Sequence, residues 1–221
     1  VDLSQLNQIC DRIRQAWDVK DEAREQGLTL ARIVIRNSAN SIRAVHRSEF
    51  DEARALTGAS TDLLAKVKEH LRDQPDIFHA GFVHDAQKEH VEALVTYALV
   101  RREALPDPDE LGVEYAAYLA GVAEAVGEIR RHTLDRIRRA EPGWGEEMLQ
   151  VMDDIYYFLV SFDYPPAIAG GLRRLTDVMR SLIERTRGDL TNAARQQRLE
   201  KAMTEFEARL GITAEGKAGE A

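Results

Sequence analysis

The chain has 221 residues, enough for one large domain or two small ones with a substantial core. Its 44% hydrophobic, 31% charged and 6% aromatic residues describe a helical, surface-rich protein; a net charge of −8 argues against nucleic-acid binding by the whole surface but leaves room for a local basic stripe. A single cysteine, Cys10, excludes an intramolecular disulfide framework and a Cys-rich zinc site and favours a reducing compartment, expected to be the cytoplasm. No apolar run reaches the ~18 residues of a membrane span, and the first residues lack a signal-peptide pattern.

Residues 2 to about 52 read as one helix with Gly27 its only weak point. If continuous it would approach ~75 Å, too long for this chain to bury alone, so packing against neighbouring subunits is expected. Arg32, Arg36, Arg43 and Arg47 fall within about 60° of one another round this helix. Leu30, Val34, Ser41 and Val45 lie on the other side, and acids are almost missing from Gly27 to Ser48. The stripe is a candidate surface for an anionic partner, or else a plain solvated face. Gly58, Ala59 and Ser60 read as a break before a short helix ending near Arg72.

After the turn Asp73-Gln-Pro-Asp76, a helix apolar nearly all round runs to about Glu103 and is expected to be buried. It carries Glu89 and Glu92, costly inside such a helix unless paired or metal-bound. Pro106-Asp-Pro-Asp109 is a stop and a capping signal for a helix over about 110–140, rich in alanine and glycine, which carries Glu124 and Glu128. Gly121 and Gly127 within it suggest close approach of another backbone or of a ligand, because a mid-helix glycine costs about 1 kcal/mol relative to alanine. Beyond a break at Glu141–Gly145, helices are expected at 146–162 and, after Asp163–Pro166, at 167–187. Gly188-Asp189 reads as a kink or end before a last helix to Leu210, with a frayed tail from Ala214. The fold expected is all-α, one domain over 1–221, a bundle of six or seven helices in which 1–20 and 211–221 are the less ordered parts.

Glu89 with Glu92, and Glu124 with Glu128, are i,i+3 and i,i+4 pairs, so each pair shares a helix face although like charges there repel. Packing of the two helices would bring four acids to one divalent cation. Hard oxygen donors select Mg²⁺, Mn²⁺ or Ca²⁺, and such a site suits metal-assisted attack on a phosphodiester with a glutamate orienting the water. The alternative is four rim charges paired with Lys88, Arg130 or Arg131. A di-iron bundle fails, because none of His46, His70, His79, His84, His90 and His132 has a glutamate three residues before it. An all-α nucleotide pyrophosphohydrolase of the MazG kind stays open, although its second acid pair is normally Glu-x-x-Asp.

The segments Gln87-Lys-Glu-His-Val-Glu-Ala93, Tyr118-Leu-Ala-Gly-Val-Ala-Glu-Ala-Val-Gly-Glu-Ile-Arg130 and Tyr164 to Gly188 resemble the translin family, closest to its translin-associated factor X members, over about residues 20–190. The resemblance implies an all-α subunit of a hollow oligomer, expected as a homo-octamer of a prokaryotic or archaeal kind or as a hetero-oligomer with a translin-like subunit. It implies a Mg²⁺-dependent endoribonuclease (Mn²⁺ as alternative) with Glu89, Glu92, Glu124 and Glu128 catalytic and Glu92 and Glu128 on the metal. It also implies RNA, or single-stranded DNA, held inside the assembly, with Arg32, Arg36, Arg43 and Arg47 gripping phosphates. Glu124 stands where the family carries aspartate, and a noncatalytic binder with vestigial acids is the rival reading. Reversing charge at Arg36 and Arg43 is expected to weaken RNA binding and flatten its salt dependence in a filter-binding titration; unchanged affinity would make the stripe a solvated face.

Overall fold

The structure, a computed structural model, describes residues 3–139 and 142–210. Its elements in chain order are α1 (Ser4–His46), α2 (Phe50–His70), α3 (Pro75–Phe78), α4 (Gly81–Arg101), α5 (Pro108–Leu111), α6 (Tyr115–Arg138), α7 (Pro142–Val160), α8 (Pro166–Ala169) and α9 (Leu172–Leu210). Three of these are single turns, so six long helices carry the architecture, and no strand occurs among the described residues. No helix among them is long and apolar enough to cross a membrane.

Helices α4 and α6 form the centre. The α1–α2 hairpin packs on one flank of α4, while α7 and α9 pack on α6. This is why α4 reads apolar all round. Phe82, Ala86 and Tyr97 pack with Ala31, Val34, Ala44 and Val45 of α1 and with Ala53 and Leu64 of α2. On the opposite side Val91 and Val95 join Val122, Val126 and Ile129 of α6, Met148 and Met152 of α7, and Met179 and Ile183 of α9. The small residues of α6 let it come close to α4. A Cβ on Gly121 would lie 2.6 Å from the Lys88 carbonyl oxygen and 2.7 Å from the Val91 Cβ. Gln87, buried on α4, accepts a hydrogen bond from the Glu114 amide at 3.1 Å and fixes the start of α6.

Several boundaries differ from those expected. Gly58 lies in the interior of α2, where a glycine is tolerated, and the break falls at Arg47–Glu49 instead. There Ser48 adopts a left-handed conformation (φ 64°), and the Glu49 amide donates to the Ala44 carbonyl. The Ser41 hydroxyl donates to the Ala53 carbonyl at 3.0 Å, clamping the hairpin. The capping expected in Pro106–Asp109 is carried by Asp107, whose side chain accepts from the amides of Asp109 and Glu110, but it caps the single turn α5; α6 starts only at Tyr115. Helix α7 starts at Pro142, earlier than expected, and Glu141 lies outside the described residues. Gly170 and Gly171, at φ 57° and 81°, separate α8 from α9. Helix α9 then runs unbroken through Gly188 and Asp189, because Asp189 pairs with Arg130 of α6 at 2.8 Å instead of capping a new helix. Residues 4–20, expected among the less ordered, are helical from Ser4, and the expected tail lies outside the described residues.

The two glycines of α6 are not equivalent, since the nearest atom to a Cβ on Gly127 is Leu182 Cδ1 at 3.8 Å. Gly121→Ala is expected to destabilise the fold by about 1–3 kcal/mol through overpacking, and Gly127→Ala to stabilise it by up to about 1 kcal/mol through helix propensity. Urea denaturation of the two variants checks the opposite signs.

Candidate functional site

The close approach at Gly121 aligns the acid-bearing faces of α4 and α6. Glu89, Glu92 and Glu124 each offer a carboxylate oxygen, and these oxygens lie within 4.8 Å of one another. All three side chains are half-buried, as is Glu128 one turn further along α6. The sequence pattern therefore brings three of its four acids into one cluster, with the fourth beside it.

The partners of these acids divide them. The Lys88 ammonium lies 2.7 Å from Glu124 Oε2 and 3.4 Å from Glu89 Oε1. Burial acts to lower the Lys88 pKa, but the hydrogen bonds and charges of Glu124 and Glu89 together hold it above the ordinary lysine value. Glu128 turns to α1, where His46 Nε2 is 2.5 Å from its Oε2, and Arg131 lies 3.8 Å from the same oxygen. That hydrogen bond from His46 keeps the Glu128 carboxyl below its usual range, against the opposing effect of burial. No ion pair or hydrogen bond reaches the Glu92 carboxyl among the described residues, and only the charge of Lys88 acts to lower its pKa. Burial first, and then the charges of Glu89, Glu124 and Glu128, push it up to about 8. Arg130, offered by the sequence as a partner for the acids, instead binds Asp189 and the Thr186 hydroxyl.

His46 was not among the residues singled out by sequence. Its side chain is only 6% exposed, and its ring stacks 5.9 Å from that of His132, which in turn packs 4.7 Å from Trp144. Burial lowers His132 to about 4, as it does His90, whose Nε2 meets the Thr61 hydroxyl at 3.1 Å. A local cue for His46 exists, since it lies about 60° round the helix from Arg43, on the border between the basic stripe and the buried face. Nothing local, however, indicates an acid 82 residues away.

Arg32, Arg36 and Arg43 are exposed along α1, while Val34, Ser41 and Val45 are fully buried and Leu30 partly so. Among the described residues Arg43 is hydrogen-bonded only within its own helix, to Asn40. Arg47 is exposed as well but pairs with Glu49 and Glu52. The stripe thus runs up α1 towards His46 and, through it, to Glu128. By contrast, a groove of about 760 Å³ between the end of α7 and the start of α9 is lined by Phe162, Tyr164, Pro165 and Pro166 and contains none of the four acids. Among the described residues Asp163 is the one acid in its lining.

Among known proteins, no family profile matches the chain. An uncharacterised protein of Methanocaldococcus jannaschii is 32% identical over 173 residues, which are 77% of this chain and 76% of that protein. AfC3PO in complex with duplex RNA is 34% identical with a TM-score of 0.79, over 85% of this chain and 97% of that one, and AfC3PO alone gives the same values. Apo-NeC3PO shares the fold, with a TM-score of 0.71 at 20% identity over 87% of this chain and 99% of that one.

The raised Glu92 carboxyl has a consequence for stability. The folded protein keeps this proton to about pH 8, whereas the unfolded chain releases it near the ordinary 4.5, so stability falls as pH rises between them. Below 6.5 the buried neutral His90 and His132 act with the opposite sign, their stability being lost as pH falls towards about 4. In chelator, the unfolding free energy from denaturant titrations is therefore expected to fall from pH 6.5 to 8 at up to ~1.4 kcal/mol per pH unit, and Glu92→Gln to flatten that limb.

Proposed function

The chain belongs to the translin family, and on that premise we propose that it is a Mg²⁺-dependent endoribonuclease cleaving single-stranded or short duplex RNA inside an oligomeric cage. The observation that carries the reading is the Glu89, Glu92 and Glu124 cluster, in which Glu92 has no ion pair among the described residues. Three hard carboxylate donors fit Mg²⁺ or Mn²⁺ and not a softer metal, and a carboxyl raised by burial and by its neighbours' charge gains most from a cation. Glu89, Glu92 and Glu124 would hold the ion, with Glu128 completing the site from the α6 side. When bound, the ion supplies polarisation of the phosphodiester and a lowered pKa for the attacking water.

The chain's own residues supply the rest. Glu128, held by His46 and kept ionised, is placed to orient the water and accept its proton. Arg32, Arg36 and Arg43 grip successive phosphates without reading bases, and Arg47 joins them where RNA displaces its acidic partners. The similarity to a protein solved with duplex RNA supports this class of substrate.

Assembly is supported by the apolar surface that the chain leaves open. Trp17 is 69% exposed, with Leu6 and Ile13 exposed on the same long helix. Phe158, Tyr164 and Ile168 are exposed near the groove, and Leu199, Met203 and Phe206 along the end of α9. Exposed apolar residues in such number mark protein contacts, and closed symmetry would bury them.

A second reading, a noncatalytic RNA or single-stranded DNA binder, draws on the observation that Lys88, His46 and Arg131 already partner three of the four acids. The two separate on labelled single-stranded RNA. The nuclease is expected to cleave with Mg²⁺ and not with chelator, and Glu92→Gln or Glu128→Gln to lower the rate by at least ~100-fold while RNA binding is kept. Binding without metal-dependent cleavage by the unaltered protein would establish the second reading.

A further inference from the structure

We propose that the ammonium group of Lys88 is a tethered competitor for the divalent cation, so that its grip on Glu124 and Glu89 sets the concentration at which the acid cluster loads. The proposal rests on the metal-site reading above and adds its regulation. Two of the three clustered carboxylates, those of Glu124 and Glu89, are the groups on which Lys88 Nζ sits, at 2.7 and 3.4 Å. The side chain is 19% exposed, so it lies within the cluster and still borders solvent. An ammonium and a divalent ion repel strongly at such separations in a half-buried site, so the two cannot share these oxygens.

The fold lets one exchange for the other. The Lys88 backbone is pinned, because its carbonyl lies against Gly121 at the α4–α6 contact. Only the flexible four-carbon stem is free to move, and it carries a compact charge with three donors. Among the described residues no other cation duplicates this role: His46 and Arg131 sit on Glu128, outside the trio, and Arg130 is committed to Asp189.

The test is calorimetric titration of Mn²⁺ into the unaltered protein, Lys88→Gln and Lys88→Arg at one pH and ionic strength. Lys88→Gln is expected to bind Mn²⁺ at least roughly tenfold more tightly, with Lys88→Arg close to the unaltered protein. Thermal melts give an independent readout: Lys88→Gln is expected to melt lower in chelator, where Glu89 and Glu124 lose their counter-ion, and to gain more from Mn²⁺. Binding by the unaltered protein with equal or weaker affinity in Lys88→Gln overturns this inference and leaves the metal site standing. Absence of binding in both overturns the inference and the metal site together.

Discussion

The structure depends on one contact, the approach of α4 to α6 at Gly121, where the Lys88 carbonyl and the Val91 side chain fill the space a Cβ would need. Helices that touch at backbone distance carry their neighbouring side chains into one seam. On the inner side of the seam this produces the dry layer of Val91, Val95, Val122 and Val126, against which α7 and α9 pack. On the outer side it places Glu89 and Glu92 against Glu124. The same geometry therefore stabilises the core by burial and crowds like charges at its edge, and the second effect is tolerated because the first is large.

The crowding is relieved unevenly, and the unevenness is what makes the site chemically specific. Lys88 pairs with Glu89 and Glu124, and His46 and Arg131 pair with Glu128; Glu92 has no ion pair among the described residues, and burial with its neighbours' charges pushes it up to about 8 against the weaker opposing charge of Lys88. Cationic side chains thus pair with the three neighbouring carboxylates and leave the buried Glu92 carboxyl raised. Helix α1 links this arrangement to the surface, since its exposed arginines and its buried His46 are parts of one rigid element. An anionic strand lying along the stripe would be led to the acid cluster by the helix itself.

The long helices were legible because hydrophobic periodicity is a local property that a bundle preserves, and the four acids were legible because i,i+3 and i,i+4 spacing fixes a shared face whatever packs against it. Local signals also misled. Gly58 looked like a break and is not one, since helical context outweighs the cost of a single glycine. The true turn at Ser48 has a left-handed residue with no glycine or proline to announce it. Gly188-Asp189 resembled a helix end, yet Asp189 is spent on Arg130, a partner that only the packing of α9 on α6 brings near.

Read alone, the sequence determined that the protein is helical, which faces are apolar, which acids share a face, and that basic residues run along one helix, because each of these follows from spacing along a rod of known pitch. Tertiary structure alone decided that Lys88 pairs with Glu89 and Glu124, that His46 reaches Glu128, and that Glu92 is buried with no ion pair among the described residues. Those outcomes depend on distances of a few ångströms between rods, and inter-helix distance is set by how small side chains such as Gly121 meet their neighbours, which no spacing within a single helix encodes.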